Sequence, residues 1–128
     1  MNTHEKGKIG EDAAVEYLLS QGYTIETRNY RTKRGELDIV AAAPDGTLVF
    51  VEVKASTSNA CGNPLFRITP AKQRVIAQMA TRYMYERKIV NRPCRFDVIG
   101  IYRGKLDHIP NAFFTPEIWG KRRFGLRR

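Results

Sequence analysis

Two stretches decide the fold of this chain: residues 35–40 have the sequence GELDIV, and residues 48–54 have the sequence LVFVEVK. Both are rich in the β-branched and apolar residues that strands favour. The Pro-Asp-Gly series at residues 44–46 is a turn signal. The two strands are therefore expected to pair as an antiparallel hairpin.

Charged residues interrupt this apolar hairpin. Side chains on a strand alternate between its faces, so Glu52 and Lys54 point to one face and the valines of the same strand point to the other. We expect one face to carry chemistry and the other to be core. Because a charge in an apolar strand needs a compensating partner, Asp38 and Glu52 are expected on neighbouring strands, where they can share a cation.

Such a pair suits a hard divalent ion, and Mg²⁺ fits because it prefers about six oxygen ligands and usually arrives with water. Lys54 can orient an attacking water or neutralise charge on a phosphoryl oxygen. With only two histidines in the chain, oxygen ligands must do any metal binding. Cys61 and Cys94 lack a Cys-x-x-Cys spacing, so we expect reduced, structural thiols and no zinc site.

The size and composition of the chain are those of a single globular domain. It has 128 residues and a mass of 14.7 kDa, enough for one core and too little for a second. Residues 1–110 are expected to form this domain, followed by a basic, aromatic tail at 111–128. No apolar run reaches membrane-spanning length and the start lacks a secretion signal, so the cytoplasm is the expected location.

The charge balance favours a polyanionic partner. The chain has 22 Lys and Arg against 13 Asp and Glu, a formal net charge of +9. Nucleic acid is the leading candidate. The alternative is a basic surface with no specific partner.

The first helix is expected over residues 5–21, where Gly22 provides a stop signal. Its predicted apolar sector consists of Ile9, Gly10, Ala13, Ala14, Tyr17 and Leu18. Glu11 falls at the edge of this sector and can lean towards the charged face of the hairpin, whereas Asp12 and Glu16 point away. The alternative for Glu11 is an ordinary residue at the rim.

A first strand is expected over residues 23–30, followed by a basic turn at 31–35. Four cations precede the acidic strand and are placed to contact phosphates beside a metal site: Arg28, Arg31, Lys33 and Arg34. A solvated turn is the alternative interpretation. After Lys54, residues 55–64 are small and polar, which is typical of a mobile loop that can close over a substrate.

A second helix is predicted to begin at Thr69, the N-cap, with Pro70 at the first helical position. Its methionines and Tyr83 are expected in the core. Lys72 and Gln73, with Arg74, lie in the first turns, where free backbone N–H groups also favour anions. They are candidate phosphate contacts.

A further strand is expected over residues 95–102, with a turn at 103–105 leading into 106–110. Asp97 on this strand is expected to make a hydrogen bond or ion pair at a sheet margin and not to join the carboxylate pair. The tail combines aromatic residues with Lys121, Arg122 and Arg123. Such a tail can bind nucleic acid, dock onto its own domain or form a subunit contact.

The order of Glu11, GELD at 35–38 and EVK at 52–54 resembles the PD-(D/E)xK nuclease superfamily, which has the restriction-endonuclease-like fold. More closely, several segments resemble the YraN-like family of small bacterial proteins, usually compared with archaeal Holliday junction resolvases. These segments are GE at 10–11, RNYR at 28–31, GELD at 35–38, VFVEVK at 49–54 and RFDVI at 95–99. The likeness covers residues 6–102, and Leu37 stands where the superfamily's name has proline.

The resemblance implies an α/β fold with a restriction-endonuclease-like mixed sheet flanked by helices. It also implies a phosphodiesterase site dependent on Mg²⁺ or Mn²⁺, with Glu11, Asp38 and Glu52 as metal ligands and Lys54 as the fourth catalytic residue. A homodimer is expected only by analogy, because resolvase-like enzymes act as symmetric dimers.

Three functions remain open from the sequence. The first is a metal-dependent endonuclease that acts on DNA, with branched or junction DNA as a candidate substrate. The second is a nucleic-acid-binding module that keeps the nuclease fold without efficient cleavage. The third is an interaction subunit in which the acidic cluster is a structural network.

Overall fold

A computed structural model describes the protein over residues 3–56 and 68–113, apart from the side chains of residues 3–6 and 56. Its elements are α1 (Thr3–Ser20), β1 (Thr24–Thr32), β2 (Gly35–Ala42), β3 (Leu48–Ser56), α2 (Pro70–Glu86), β4 (Cys94–Tyr102) and β5 (Lys105–Phe113). The strands form one five-stranded sheet in the order β1-β2-β3-β4-β5. Neighbouring strands are antiparallel except for β3 and β4, which run parallel. This mixed sheet with its two helices confirms the predicted α/β class.

The hairpin that decides the fold forms as predicted. β2 and β3 pair antiparallel from Ala42 opposite Leu48 to Ile39 opposite Val51. The turn between them is closed by a hydrogen bond of 2.9 Å from the Ala43 N–H to the Thr47 carbonyl. Local turn chemistry and strand alternation therefore position the acidic residues beyond the paired region of the hairpin.

α1 packs on the sheet with only part of the predicted face. Ala14 and Leu18 are buried, but Ile9 is 53% exposed and Ala13 is also exposed. The reason lies at Gly10, where an added Cβ would lie only 3.0 Å from the Cβ of Ala55 on β3. The helix approaches the sheet most closely at this glycine, so its buried face is rotated towards Glu11.

α2 begins as predicted. Thr69 has extended backbone angles and its hydroxyl accepts a hydrogen bond of 3.1 Å from the Lys72 N–H, with Pro70 in the first turn. The predicted core residues of the helix are buried, including Met79, Tyr83 and Met84. The phenol of Tyr83 shares a hydrogen bond of 2.9 Å with the hydroxyl of Thr27 on β1, which ties the helix to the first strand.

The sheet has an apolar core on each of its two faces. Ile39, Val49 and Val51 pack with α1, whereas Leu48 and Phe50 pack with α2. The expectation that one face of the hairpin is reserved for chemistry is therefore wrong for most of its length. Leu48 and Phe50 share a face with Glu52, but they lie under α2 and are fully buried. The charged side chains of β3, Glu52 and Lys54, stand only at the end of this strand.

The last strand extends to Phe113, whose ring stacks on Phe96 at a centroid distance of 4.9 Å. The strand thus continues past residue 110, where the predicted tail begins. Most of that tail, from residue 114 onward, lies outside the described residues, as do Cys61 and most of the predicted mobile loop. Neither described helix has the length and apolar character needed to span a bilayer.

Candidate functional site

The four residues predicted to be catalytic line a single cleft at the end of the hairpin. Glu11 comes from α1, Asp38 from β2, and Glu52 and Lys54 from the end of β3. The cleft has a volume of about 330 Å³ and is open to solvent, with Gly7 and Ala55 at its margins. Strand alternation and the helix approach at Gly10 bring these side chains together.

Asp38 occupies the position where the hairpin ladder stops. Regular pairing ends at Ile39 and Val51, and beyond it the Asp38 carboxylate accepts a hydrogen bond of 2.8 Å from the Val53 N–H. The side chain thus satisfies a backbone donor of the neighbouring strand. This bond fixes the carboxylate at the opening of the hairpin, next to Glu52.

Ionisation of the two carboxylates is unfavourable at this position. Burial, together with the charge of Glu52, raises the pKa of Asp38 from 3.8 to about 8. Burial also raises the pKa of Glu52, while Lys72 and Lys54 oppose the rise. Two acids with raised pKa values in one cleft need a proton or a cation to be stable together.

Lys72 of α2 also contacts the carboxylate pair, although the sequence predicted a different role for it. It was expected to contact phosphates, and its Nζ lies 3.8 Å from Oε2 of Glu52. Lys72 is on the first turn of α2, so its distance from Glu52 depends on how this helix packs on the sheet. Sequence spacing carries no signal for that contact.

Glu11 is held at the cleft by a residue that was not among the predicted site residues. Asn29 Nδ2 donates a hydrogen bond of 2.8 Å to Oε1 of Glu11. Asn29 has a φ of 54°, a left-handed conformation that asparagine tolerates better than most residues. The conformation at Asn29 is a backbone irregularity within β1, which alternation alone does not predict.

The cleft fits a cation held by a carboxylate pair. Among the residues that the structure describes, no three acidic, histidine or cysteine side chains form a group that could hold a metal ion. Mg²⁺ is commonly bound by only one or two carboxylates, with water and substrate phosphates completing its shell. The hard oxygen donors of Asp38 and Glu52 match that preference. Glu11 as a further ligand stays a prediction.

The predicted phosphate-binding residues fall into two groups. Arg28 lies 2.7 Å from Asp12 and 3.9 Å from Glu11, and Arg31 lies 3.3 Å from Glu36. Asp12 therefore does not point away from the protein as expected, because it receives the Arg28 guanidinium. The amide of Gln73 donates to the Ile68 carbonyl at 3.0 Å. By contrast, Lys33 and Arg34 are exposed in the β1–β2 turn, and Lys121, Arg122 and Arg123 lie outside the described residues.

Asp97 takes the structural role predicted for it. It is fully buried and accepts hydrogen bonds of 3.0 Å from Arg95, 2.8 Å from His108 and 2.9 Å from the Asn111 N–H. The other ring nitrogen of His108 lies 3.0 Å from the Tyr17 hydroxyl. Asp97 thus connects β4, β5 and α1 and is not among the residues that line the cleft.

The fold and the cleft define the class: an α/β protein with a mixed sheet and a carboxylate and lysine cleft at the end of a central hairpin. The chain belongs to the uncharacterised protein family UPF0102, whose family model matches residues 10–101. It is 45% identical over 112 residues to a UPF0102 protein of Cupriavidus necator, a match that covers 88% of this chain and 85% of that protein.

Two further relatives are UPF0102 proteins of other bacteria. A UPF0102 protein of Chlorobium phaeobacteroides is 43% identical over 122 residues, covering 88% of this chain and 96% of the relative. One from Clostridioides difficile is 43% identical over 115 residues, covering 88% of this chain and 100% of the relative. These matches confirm the resemblance to the YraN-like family. The place of the family in the nuclease superfamily stays a prediction.

Proposed function

We propose that the protein is a divalent-cation-dependent nuclease that hydrolyses phosphodiester bonds in DNA. The observation that carries this proposal is the cleft itself, where the buried carboxylate of Glu52 and the half-buried carboxylate of Asp38, on neighbouring strands, meet Lys54. Burying two like charges side by side costs stability unless a cation joins them. Phosphodiester hydrolysis is a reaction that uses this combination of groups.

Each residue of the cleft has a defined task in this proposal. Asp38 and Glu52 would hold the cation, Mg²⁺ or Mn²⁺, and Glu11 would assist them from α1. A bound divalent cation supplies Lewis-acid stabilisation and lowers the pKa of bound water. Lys54, on the same strand face as Glu52, donates to a phosphate oxygen and offsets the charge that develops on it.

DNA as the substrate is supported by the charge of the protein and by where that charge lies. The net charge is +9, and the exposed Lys33 and Arg34 sit at the turn between β1 and β2. Because β2 begins at this turn and runs past Asp38, the turn lies at the cleft end of the sheet. Branched or junction DNA is a candidate substrate by analogy with resolvases.

A DNA-binding protein without efficient cleavage is the second candidate, and one observation favours it. Lys72 already lies 3.8 Å from Glu52, so the chain supplies part of the positive charge that the carboxylates need. A site neutralised in this way can be stable without a divalent cation. This candidate predicts salt-dependent DNA binding that is indifferent to Mg²⁺.

The deciding experiment is a cleavage assay on single-stranded, duplex and junction DNA with Mg²⁺ or Mn²⁺. The substitutions Asp38→Asn and Lys54→Met should each lower the cleavage rate by at least about a hundredfold. Asp107→Asn is the matched control, because Asp107 is an exposed acid on β5 outside the cleft. Cleavage that survives Asp38→Asn would refute the proposal, and DNA binding without cleavage would favour the second candidate.

Cellular location and assembly follow from the proposed activity. A nuclease of this type would work in the cytoplasm, where bacterial DNA is found. A homodimer would allow two clefts to act on two strands. Sedimentation of the protein with and without junction DNA tests the dimer.

A further inference from the structure

The turn between β4 and β5 presents two exposed cations on a rigid hairpin. Tyr102 pairs with Lys105, which leaves Arg103 and Gly104 as a two-residue loop. Both loop residues have positive φ, 52° and 77°, as in the tight hairpin turns that match the twist of a sheet. The guanidinium of Arg103 lies 5.3 Å from the centre of the Tyr102 ring, and Lys105 is exposed.

The sheet register places this turn beside the cleft. β4 runs parallel to β3, with Ile101 opposite Ala55, so the C-terminal ends of both strands lie at the same end of the sheet. Gly10 on α1 confirms the proximity: a Cβ added there would lie 3.0 Å from the Cβ of Ala55 and 3.8 Å from Cδ1 of Ile101. The end of β4 therefore borders the wall of the cleft.

A second basic turn lies on the other side of the cleft. Thr32 pairs with Gly35, so Lys33 and Arg34 form the loop between β1 and β2. Three strand intervals separate the centres of the two turns in the sheet order. At about 4.8 Å per interval, the turns are roughly 14 Å apart. That distance corresponds to about four base-pair steps along the axis of a duplex, at about 3.4 Å each.

We propose that the two turns form a phosphate clamp, in which Lys33 and Arg34 hold the DNA backbone on one side of the cleft and Arg103 and Lys105 hold it on the other. The partner, DNA, rests on the proposed function. Both turns are short hairpins, so the backbone that carries their cations is ordered before binding. Arg28 and Arg31, by comparison, are already paired with carboxylates.

The clamp is tested by binding of labelled duplex DNA in EDTA, measured by fluorescence anisotropy over a series of salt concentrations. The variants are Lys33→Gln, Lys105→Gln and the double substitution. Lys88→Gln is the matched control, since it removes the same charge from an exposed lysine beyond the far end of α2. Thermal melting confirms that each variant is folded.

Each turn substitution should remove about one phosphate contact. The slope of log K against log salt should fall by about 0.9 for each single variant and by about twice that for the double variant. The dissociation constant should rise several-fold for each, with additive effects in the double variant. Lys88→Gln should leave the slope unchanged.

The clamp fails if Lys88→Gln weakens binding as much as Lys105→Gln, because the effect would then reflect net charge alone. It also fails if the protein does not bind DNA. Its failure is distinct from that of the nuclease, since binding is measured without a divalent cation. Cleavage that depends on Asp38 while binding ignores both turns overturns only the clamp, and turn-dependent binding without cleavage overturns only the nuclease.

Discussion

The substitution Asp38→Asn should make the protein more stable at neutral pH in the absence of divalent cations. The pKa of Asp38 is raised from 3.8 to about 8 by burial and by the charge of Glu52. At pH 7 the unfolded chain has an ionised Asp38, whereas the folded protein must keep it protonated or accept the charge. At pH 7 only the interval of about three pKa units between the unfolded value and the pH counts, and at about 1.4 kcal/mol per unit this gives a cost of up to about 4 kcal/mol.

The pH dependence has a definite sign. A folded-state pKa above the unfolded one means that the folded protein binds more protons between the two values, so stability falls as pH rises from about 4 to about 8. Asp38→Asn removes this loss, and its amide oxygen can still accept from the Val53 N–H. The advantage of the variant should be small near pH 4 and should grow steadily towards pH 8.

Urea unfolding at several pH values in EDTA measures this difference directly. Adding Mg²⁺ should then stabilise the unsubstituted protein and leave the variant unchanged, because ligand binding to the folded state raises its free energy of unfolding. Asp107→Asn, on the exposed surface of β5, should show neither effect. An advantage of Asp38→Asn that is equal at pH 4 and pH 8 would refute the electrostatic reasoning, as would destabilisation at neutral pH.

Two further substitutions test the packing that positions the cleft. Gly7→Ala should stabilise α1 by up to about 1 kcal/mol, since nothing lies within 4 Å of the added Cβ, whereas Gly10→Ala should lose this gain because its Cβ would lie 3.0 Å from that of Ala55. Equal stabilisation in thermal melts of both variants would contradict the close approach. Asp97→Asn should cost about 3 kcal/mol at pH 7, because it leaves the Arg95 charge without its buried partner. Burial opposes ionisation of Asp97, but hydrogen bonds from His108 and Arg95 hold its pKa below the usual value. The loss of stability caused by Asp97→Asn should therefore shrink at low pH, where the carboxylate of the unsubstituted protein becomes protonated. Urea unfolding at decreasing pH measures this change.

Local signals predicted those parts of the fold that depend on neighbouring residues. The β2–β3 hairpin follows from its turn sequence and from strand alternation, and the start of α2 follows from Thr69 and Pro70. The juxtaposition of Asp38 and Glu52 is a consequence of the same hairpin register. Asp97 was correctly expected in a hydrogen-bond network, although its partner His108 could not be chosen from the sequence.

The sequence could not predict features that depend on how separate elements pack. Ile9 and Ala13 were wrongly placed in the buried sector of α1, because the close approach of the helix to Ala55 at Gly10 sets which side faces the sheet, and periodicity alone does not show that approach. The contact of Lys72 with Glu52 joins α2 to β3, and neither segment carries a sign of the other. Asn29 was missed because its positive φ breaks the alternation on which the strand prediction relies.

Asp38 stands where the pairing of β2 with β3 ends, and its side chain satisfies the backbone N–H that this ending would leave without an acceptor. The Asp38 carboxylate takes the place of a main-chain acceptor for Val53, so the side chain is held by the fold itself. The same bond keeps this carboxylate beside Glu52, where burial opposes its ionisation. A purely structural role would be served better by asparagine, which keeps the acceptor and removes the repulsion. The proposed cation would give the aspartate a role that asparagine cannot fill, and its destabilising charge is the strongest physical reason to test for one.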